Sequence, residues 1–109
     1  MTKVLYNTHW GIYSIPLEVL KRYNELTGID HDVLLTFSDE IPRHDPLLVQ
    51  AFEEYLAEEK NLNNTDVRIT EIRGNRYRIQ EYDGNESVIE PEDEVWIEVN
   101  EGGHESILN

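Results

Sequence analysis

The spacing of apolar residues changes at Val67, and this change divides the chain into a helical part and a stranded part. Before it, Leu48, Ala51, Phe52, Tyr55 and Leu56 recur at steps of one, three or four, which aligns them along one side of an α-helix. From Val67 the period is two, over residues 67–73 and again over 76–82, as half-buried strands require. With 109 residues and 39% hydrophobic content, the chain has material for a single core. The expected fold class is therefore α+β: an antiparallel β-sheet, a meander of three to five strands, with two α-helices packed on one face. The domain is expected over residues 1–100, with a flexible acidic tail at 101–109.

Local signals place the elements. Thr2 to Ile15 reads as a strand or bent hairpin, with Asn7-Thr8-His9 as the bend and Gly11 as a flexible point. Pro16 to Thr27 reads as a helix, Pro16 suiting its first position and Gly28 its left-handed cap. Its buried stripe is expected at Leu17, Leu20, Tyr23 and Thr27, with Glu18–Arg22 and Lys21–Glu25 as surface pairs. Val33 to Phe37 is a short strand candidate. Asp45-Pro46 is a cap acceptor followed by a residue that needs no N–H partner, so a second helix starts there and is expected to reach about Lys60. Gly74-Asn75 reads as a two-residue hairpin connection, pairing Ile72 with Tyr77, Thr70 with Ile79, Arg68 with Glu81 and Glu71 with Arg78. A second turn at Asp83-Gly84-Asn85-Glu86 delivers Ser87-Val88-Ile89 and, across Pro91, a strand from Glu94 to Val99.

Charge narrows the function. The formal net charge is −14, and from Gln80 to Asn109 ten Asp or Glu residues occur with no Lys or Arg. Such a chain repels nucleic acid and anionic membranes at long range, so neither is an expected partner. Basic proteins, or proteins that normally grip nucleic acid, are the favoured partners. The chain has no cysteine, which excludes disulfides and thiolate chemistry. The start lacks the layout of a signal peptide and no apolar run approaches ~20 residues, so a cytoplasmic protein is expected. A homo-oligomer is compatible with all of this.

Two surfaces carry the candidate site residues. Glu90, Glu92, Glu94 and Glu98 share one parity with Trp96, opposite Ile89, Val95, Ile97 and Val99. On a strand this makes a carboxylate row with ~6.8 Å spacing, about twice the phosphate rise along one DNA strand, centred on a tryptophan anchor. Glu90, Glu92, Asp93, Glu94, Trp96 and Glu98 are therefore the expected partner-binding residues. The alternative is a small-ligand site in which Arg73, Arg76 and Arg78 grip an anion such as a nucleotide, with Tyr77 or Tyr82 for stacking.

Catalytic chemistry lacks a signature. Asp30, His31, Asp32, His44 and Asp45 are metal-ligand types without metal-motif spacing, and Ser14, Ser38, Ser87 and Ser106 stand in no nucleophile elbow. No enzyme activity, metal or cofactor is expected.

Arg43-His44-Asp45-Pro46-Leu47-Leu48-Val49, followed by Glu53-Glu54, then Val67-Arg68-Ile69-Thr70-Glu71-Ile72 and Tyr77-Arg78-Ile79-Gln80-Glu81-Tyr82-Asp83-Gly84-Asn85-Glu86, resembles a group of short phage and virus reading frames. These share R-H-D-P-x-L-V before an acidic helix and a late I-x-E-Y-D-G-x-E. The resemblance covers about residues 41–90. It implies a virus-encoded accessory protein acting in an infected host cell, with a basic host or viral protein as partner, and it brings no catalytic residues with it. Joined to the carboxylate row, which can imitate a phosphate track, the expected role is that of a host-defence antagonist or nucleic-acid mimic.

Overall fold

The computed structural model describes residues 2–93. Its elements are β1 (Thr2–Asn7), α1 (Leu17–Thr27), a 3-10 helix (Val33–Phe37), α2 (Pro46–Leu56), β2 (Val67–Ile72), β3 (Arg78–Tyr82) and β4 (Asn85–Ile89), with short 3-10 turns at Glu59–Asn61 and Pro91–Asp93. The fold is α+β, with two helices and small antiparallel sheets. No helix among the described residues is long and apolar enough to cross a membrane.

The strands pair differently from the expected meander. Among the described residues there are two two-stranded sheets, β1–β2 and β3–β4. The Gly74-Asn75 hairpin does not form, because a Gly-X turn of that type needs a positive φ at its glycine and Gly74 does not adopt one. The turn that does close a hairpin is Asp83-Gly84, where φ is 53° and 85°, between the paired Tyr82 and Asn85. Two positive φ values in a two-residue loop match the twist of the flanking strands, and Asp tolerates that region better than most residues. Freed from β3, β2 takes the N-terminal strand as partner, Leu5 opposite Ile69 and Asn7 opposite Val67. The four cross-strand pairs predicted for β2 with β3 are accordingly absent. Glu71 lies opposite Lys3 and Arg68 opposite Tyr6.

Leu5, Ile69 and Val67 share one face of the first sheet and join a single core with Val19, Leu20 and Tyr23 of α1 and Leu48, Ala51, Phe52 and Tyr55 of α2. Val4 points the opposite way and is also fully buried, and β4 meets β1 where Glu86 accepts from the Asn7 backbone N–H. β1 thus contacts both the helical core and the second hairpin.

Pro16 precedes α1 with an extended backbone, and its carbonyl accepts from Val19 and Leu20; Gly28 ends the helix at φ 74°. This start turns Val19 inward and leaves Leu17 exposed, correcting the predicted stripe. Arg22 bridges to Glu25 at 3.0 Å and to Glu54 of α2 at 2.7 Å, so its main partner lies on the other helix. In α2 the Asp45 carboxylate accepts from Leu47 and Leu48, as the cap reading required. The helix stops at Leu56 rather than Lys60. Ahead of α2, residues 33–37 form a 3-10 helix instead of a strand, because Asp32 accepts from the Leu34 N–H at 2.9 Å and the Thr36 hydroxyl donates to the Val33 carbonyl at 2.8 Å. Short polar side chains that bond nearby backbone favour turns over strands.

Candidate interaction surfaces

The acidic row does not continue as a strand through Glu92. Pro91 cannot donate to a sheet ladder, and β4 ends at Ile89. The backbone then curls: the Asp93 N–H donates to the Glu90 carbonyl at 2.9 Å, and the Glu90 N–H donates to the Asp93 carboxylate at 3.1 Å. This turn gathers carboxylates that a strand would have spaced out, and it gathers them on Arg73. The Arg73 backbone N–H donates to Glu90 at 2.7 Å, and its Nη2 lies 3.4 Å from Glu90, 3.2 Å from Asp93 and 3.7 Å from Glu92. Hydrogen bonding to Glu90, then the charges of Glu90, Glu92 and Asp93, hold the Arg73 pKa above its ordinary value. The two sites predicted separately therefore meet, and part of each is occupied by the other. Glu94, Trp96 and Glu98 lie outside the described residues, as do the predicted strand over 94–99 and the 101–109 tail.

The remaining arginine-site residues do not converge with Tyr82. Arg76, Tyr77 and Arg78 line a hollow of about 110 Å³ together with Ile89 and Pro91. Nucleotide-sized ligands occupy pockets of about 300–1,000 Å³. Tyr77 is turned toward His44, its hydroxyl 2.8 Å from Nδ1 and the two rings edge-on at 5.6 Å. Tyr82 lies at the other end of β3, beside the Asp83-Gly84 turn, and is strongly exposed. Arg68 donates to the backbone carbonyls of Leu62, Thr65 and Val67, so it serves the loop before β2.

The residues of metal-ligand type have separate local duties. His31 pairs its Nδ1 with the Asn24 side-chain oxygen at 2.7 Å, which requires the proton on Nδ1. Asp32 and Asp45 cap helices, and Asp45 also accepts from the Tyr23 hydroxyl at 2.9 Å. Burial, followed by that bond to Asp45, pushes the Tyr23 pKa up to about 12. Ser38 accepts from the Glu40 N–H. No cluster of three or more metal-ligating side chains occurs among the described residues.

The electrostatic centre that inspection of the sequence missed is Arg43 with Glu86. Their side chains form a two-point bond at 2.5 and 3.0 Å, both nearly enclosed. The Arg43 guanidinium lies 3.8 Å from the centre of the Tyr13 ring, and Glu86 also accepts from the Asn7 N–H at 2.7 Å. Burial opposes the Arg43 charge, but its bonds to Glu86 outweigh this and the pKa is raised. Burial likewise pushes Tyr13 up to about 12 despite the nearby guanidinium. The Asn7 side chain donates to the carbonyls of His9 and Gly84, tying the β1 end to the β3–β4 turn. Arg43 belongs to the R-H-D-P stretch and Glu86 to the E-Y-D-G-N-E stretch. No local spacing rule links positions 43 and 86, so the pair is visible only once the chain is folded.

Glu86 is the only buried carboxylate among the described residues, so the acidic excess is a surface property. The other unassigned feature is apolar: Val33, Leu34 and Phe37 of the first 3-10 helix face outward, as does Ile29 just after α1. The chain matches no known protein family, no characterised protein and no solved structure.

Proposed function

We propose that this protein is a non-enzymatic interaction module that captures a basic or nucleic-acid-binding protein, of the virus-encoded accessory kind implied by its resemblance to phage and virus reading frames. The observation that carries this reading is the placement of charge. Lys3, Arg22, Arg43, Lys60 and Arg73 are engaged in ion pairs within a chain of net charge −14, and among the described residues every carboxylate but Glu86 is at least partly exposed. Each pair cancels one base against one acid, and the surplus of 23 acidic over 9 basic residues makes the net field negative. Such a field speeds encounter with positive surfaces and repels nucleic acid itself.

Immobilised full-length protein should retain basic proteins from a cell lysate at low salt and release them at about 1 M salt, where screening acts within ~3 Å. A retained set without basic enrichment, or one indifferent to salt, would sink the reading.

A further inference from the structure

We infer that the 3-10 helix Val33–Phe37 is a docking ridge for a partner protein that presents an apolar groove rimmed by Lys or Arg. Residues three apart eclipse one another in a 3-10 helix, so Leu34 and Phe37 stand side by side. Both are 67% exposed, with Val33 at 59% and Ile29 at 58%. Single exposed apolar residues are ordinary, but Leu34 and Phe37 stand together on one side of this helix, with Val33 and Ile29 also exposed close by in the chain. Their backbone is firmly held. Leu35 packs on the core, Thr36 is buried, and the Thr36 carbonyl accepts from the Ile15 N–H at 2.9 Å. A ridge already ordered loses little entropy when it is covered.

Charge selects the occupant. Asp30, Asp32, Asp39 and Glu40 flank the apolar residues, and none of the four forms an ion pair among the described residues. From Gly28 to Pro42 there is no Lys or Arg. A second copy docking through the same ridge would set these carboxylates against their own equivalents, and an anionic membrane would repel them. A basic rim turns the same charges into steering and register. The inference rests on the proposed capture of a basic partner and adds where that partner sits, on a surface distinct from the acids gathered at Arg73.

The test uses the full chain, isotope-labelled, titrated with a designed helical-hairpin peptide whose groove between the two helices is lined by Leu and rimmed by Lys. Amide shifts should concentrate in residues 29–40. Leu34→Ser with Phe37→Ser should weaken binding about tenfold or more, while the α1 and α2 amides keep their positions. Asp39→Asn with Glu40→Gln, which leaves the apolar ridge intact, should weaken binding severalfold and flatten its salt dependence. Shifts centred elsewhere would overturn the ridge and leave the capture of a basic partner standing, whereas equal affinity for a Leu/Glu peptide would overturn both. No binding of the Lys peptide anywhere at low salt would remove both. A dimer of the free chain that dissociates in the Leu34/Phe37 variant would overturn the ridge in favour of a second copy.

Discussion

Arg43 and Glu86, forty-three positions apart in sequence, close a buried two-point ion pair that fastens the loop before α2 to the β3–β4 hairpin. Because Glu86 also holds the Asn7 N–H, the pair is a junction of three segments. Removing one member strands the other in a site with little water. Arg43→Met is expected to cost about 3–5 kcal/mol, the range for an uncompensated buried charge. The double variant Arg43→Met/Glu86→Leu should recover much of that, short by the ~1–3 kcal/mol of an orphaned Asn7 N–H. Urea unfolding of both variants checks the order; a double variant less stable than the single would contradict it.

Gly84 packs on Gly11 so closely that an added Cβ would come 2.0 Å from the Gly11 carbonyl oxygen, and its φ of 85° is unsuited to a side chain. Gly84→Ala should therefore loosen the contact made by the Gly11 N–H with the Asp83 carbonyl, and destabilise by at least ~1 kcal/mol. At Gly74 a Cβ meets nothing within 4 Å, so Gly74→Ala should be close to neutral. Hydrogen exchange at the Gly11 amide and the unfolding midpoints of the two variants make the comparison.

Asp45 serves α2 and Tyr23 together. Asp45→Ala removes the acceptor for the Leu47 and Leu48 N–H groups and for the Tyr23 hydroxyl. An expected loss of about 1–2 kcal/mol follows from the cap alone. Asp45→Asn should retain most of the stability, as Asn is an equally good cap; equal losses in both variants would argue against the capping account.

Burial pushes the pKa values of Tyr13 and Tyr23 up to about 12 from an ordinary 10.0. A raised folded pKa means that the native state holds the proton more tightly than the unfolded chain. The resulting stability is whole below about pH 10 and disappears as the pH rises toward 12. Phenolate absorbance should therefore show these two tyrosines titrating together with alkaline unfolding. Tyr13→Phe should move the unfolding midpoint to higher pH, and an unchanged midpoint would count against the assignment.

Arg73 offers a direct comparison of the two acidic surfaces. Arg73→Ala releases Glu90, Glu92 and Asp93 from their shared cation. If a basic partner docks there, its affinity should rise in this variant. Docking on the Val33–Phe37 ridge predicts an affinity that changes little, and peptide titration of the variant distinguishes the two.

Local chemistry in the sequence determined much of the outline. Asp45-Pro46 began a helix, Gly28 ended one, and Asp83-Gly84 turned a hairpin, because each acts on backbone groups within a few positions of itself. The acidic excess was equally legible, as composition needs no fold. Tertiary structure alone decided which strands paired, since β2 had two plausible neighbours and burial of Leu5 and Val4 on opposite faces of β1 selected the distant one. It also decided what the charges do. Glu86 became a buried anchor, Glu90 and Asp93 became partners of Arg73, and Asp30 and Asp39 stayed at the surface beside an apolar ridge that reads, as sequence, like a buried strand. The physical reason is range: capping and turn preferences are settled between neighbours, whereas the neighbours of Val33, Phe37 or Glu86 depend on which distant segments the core brings together.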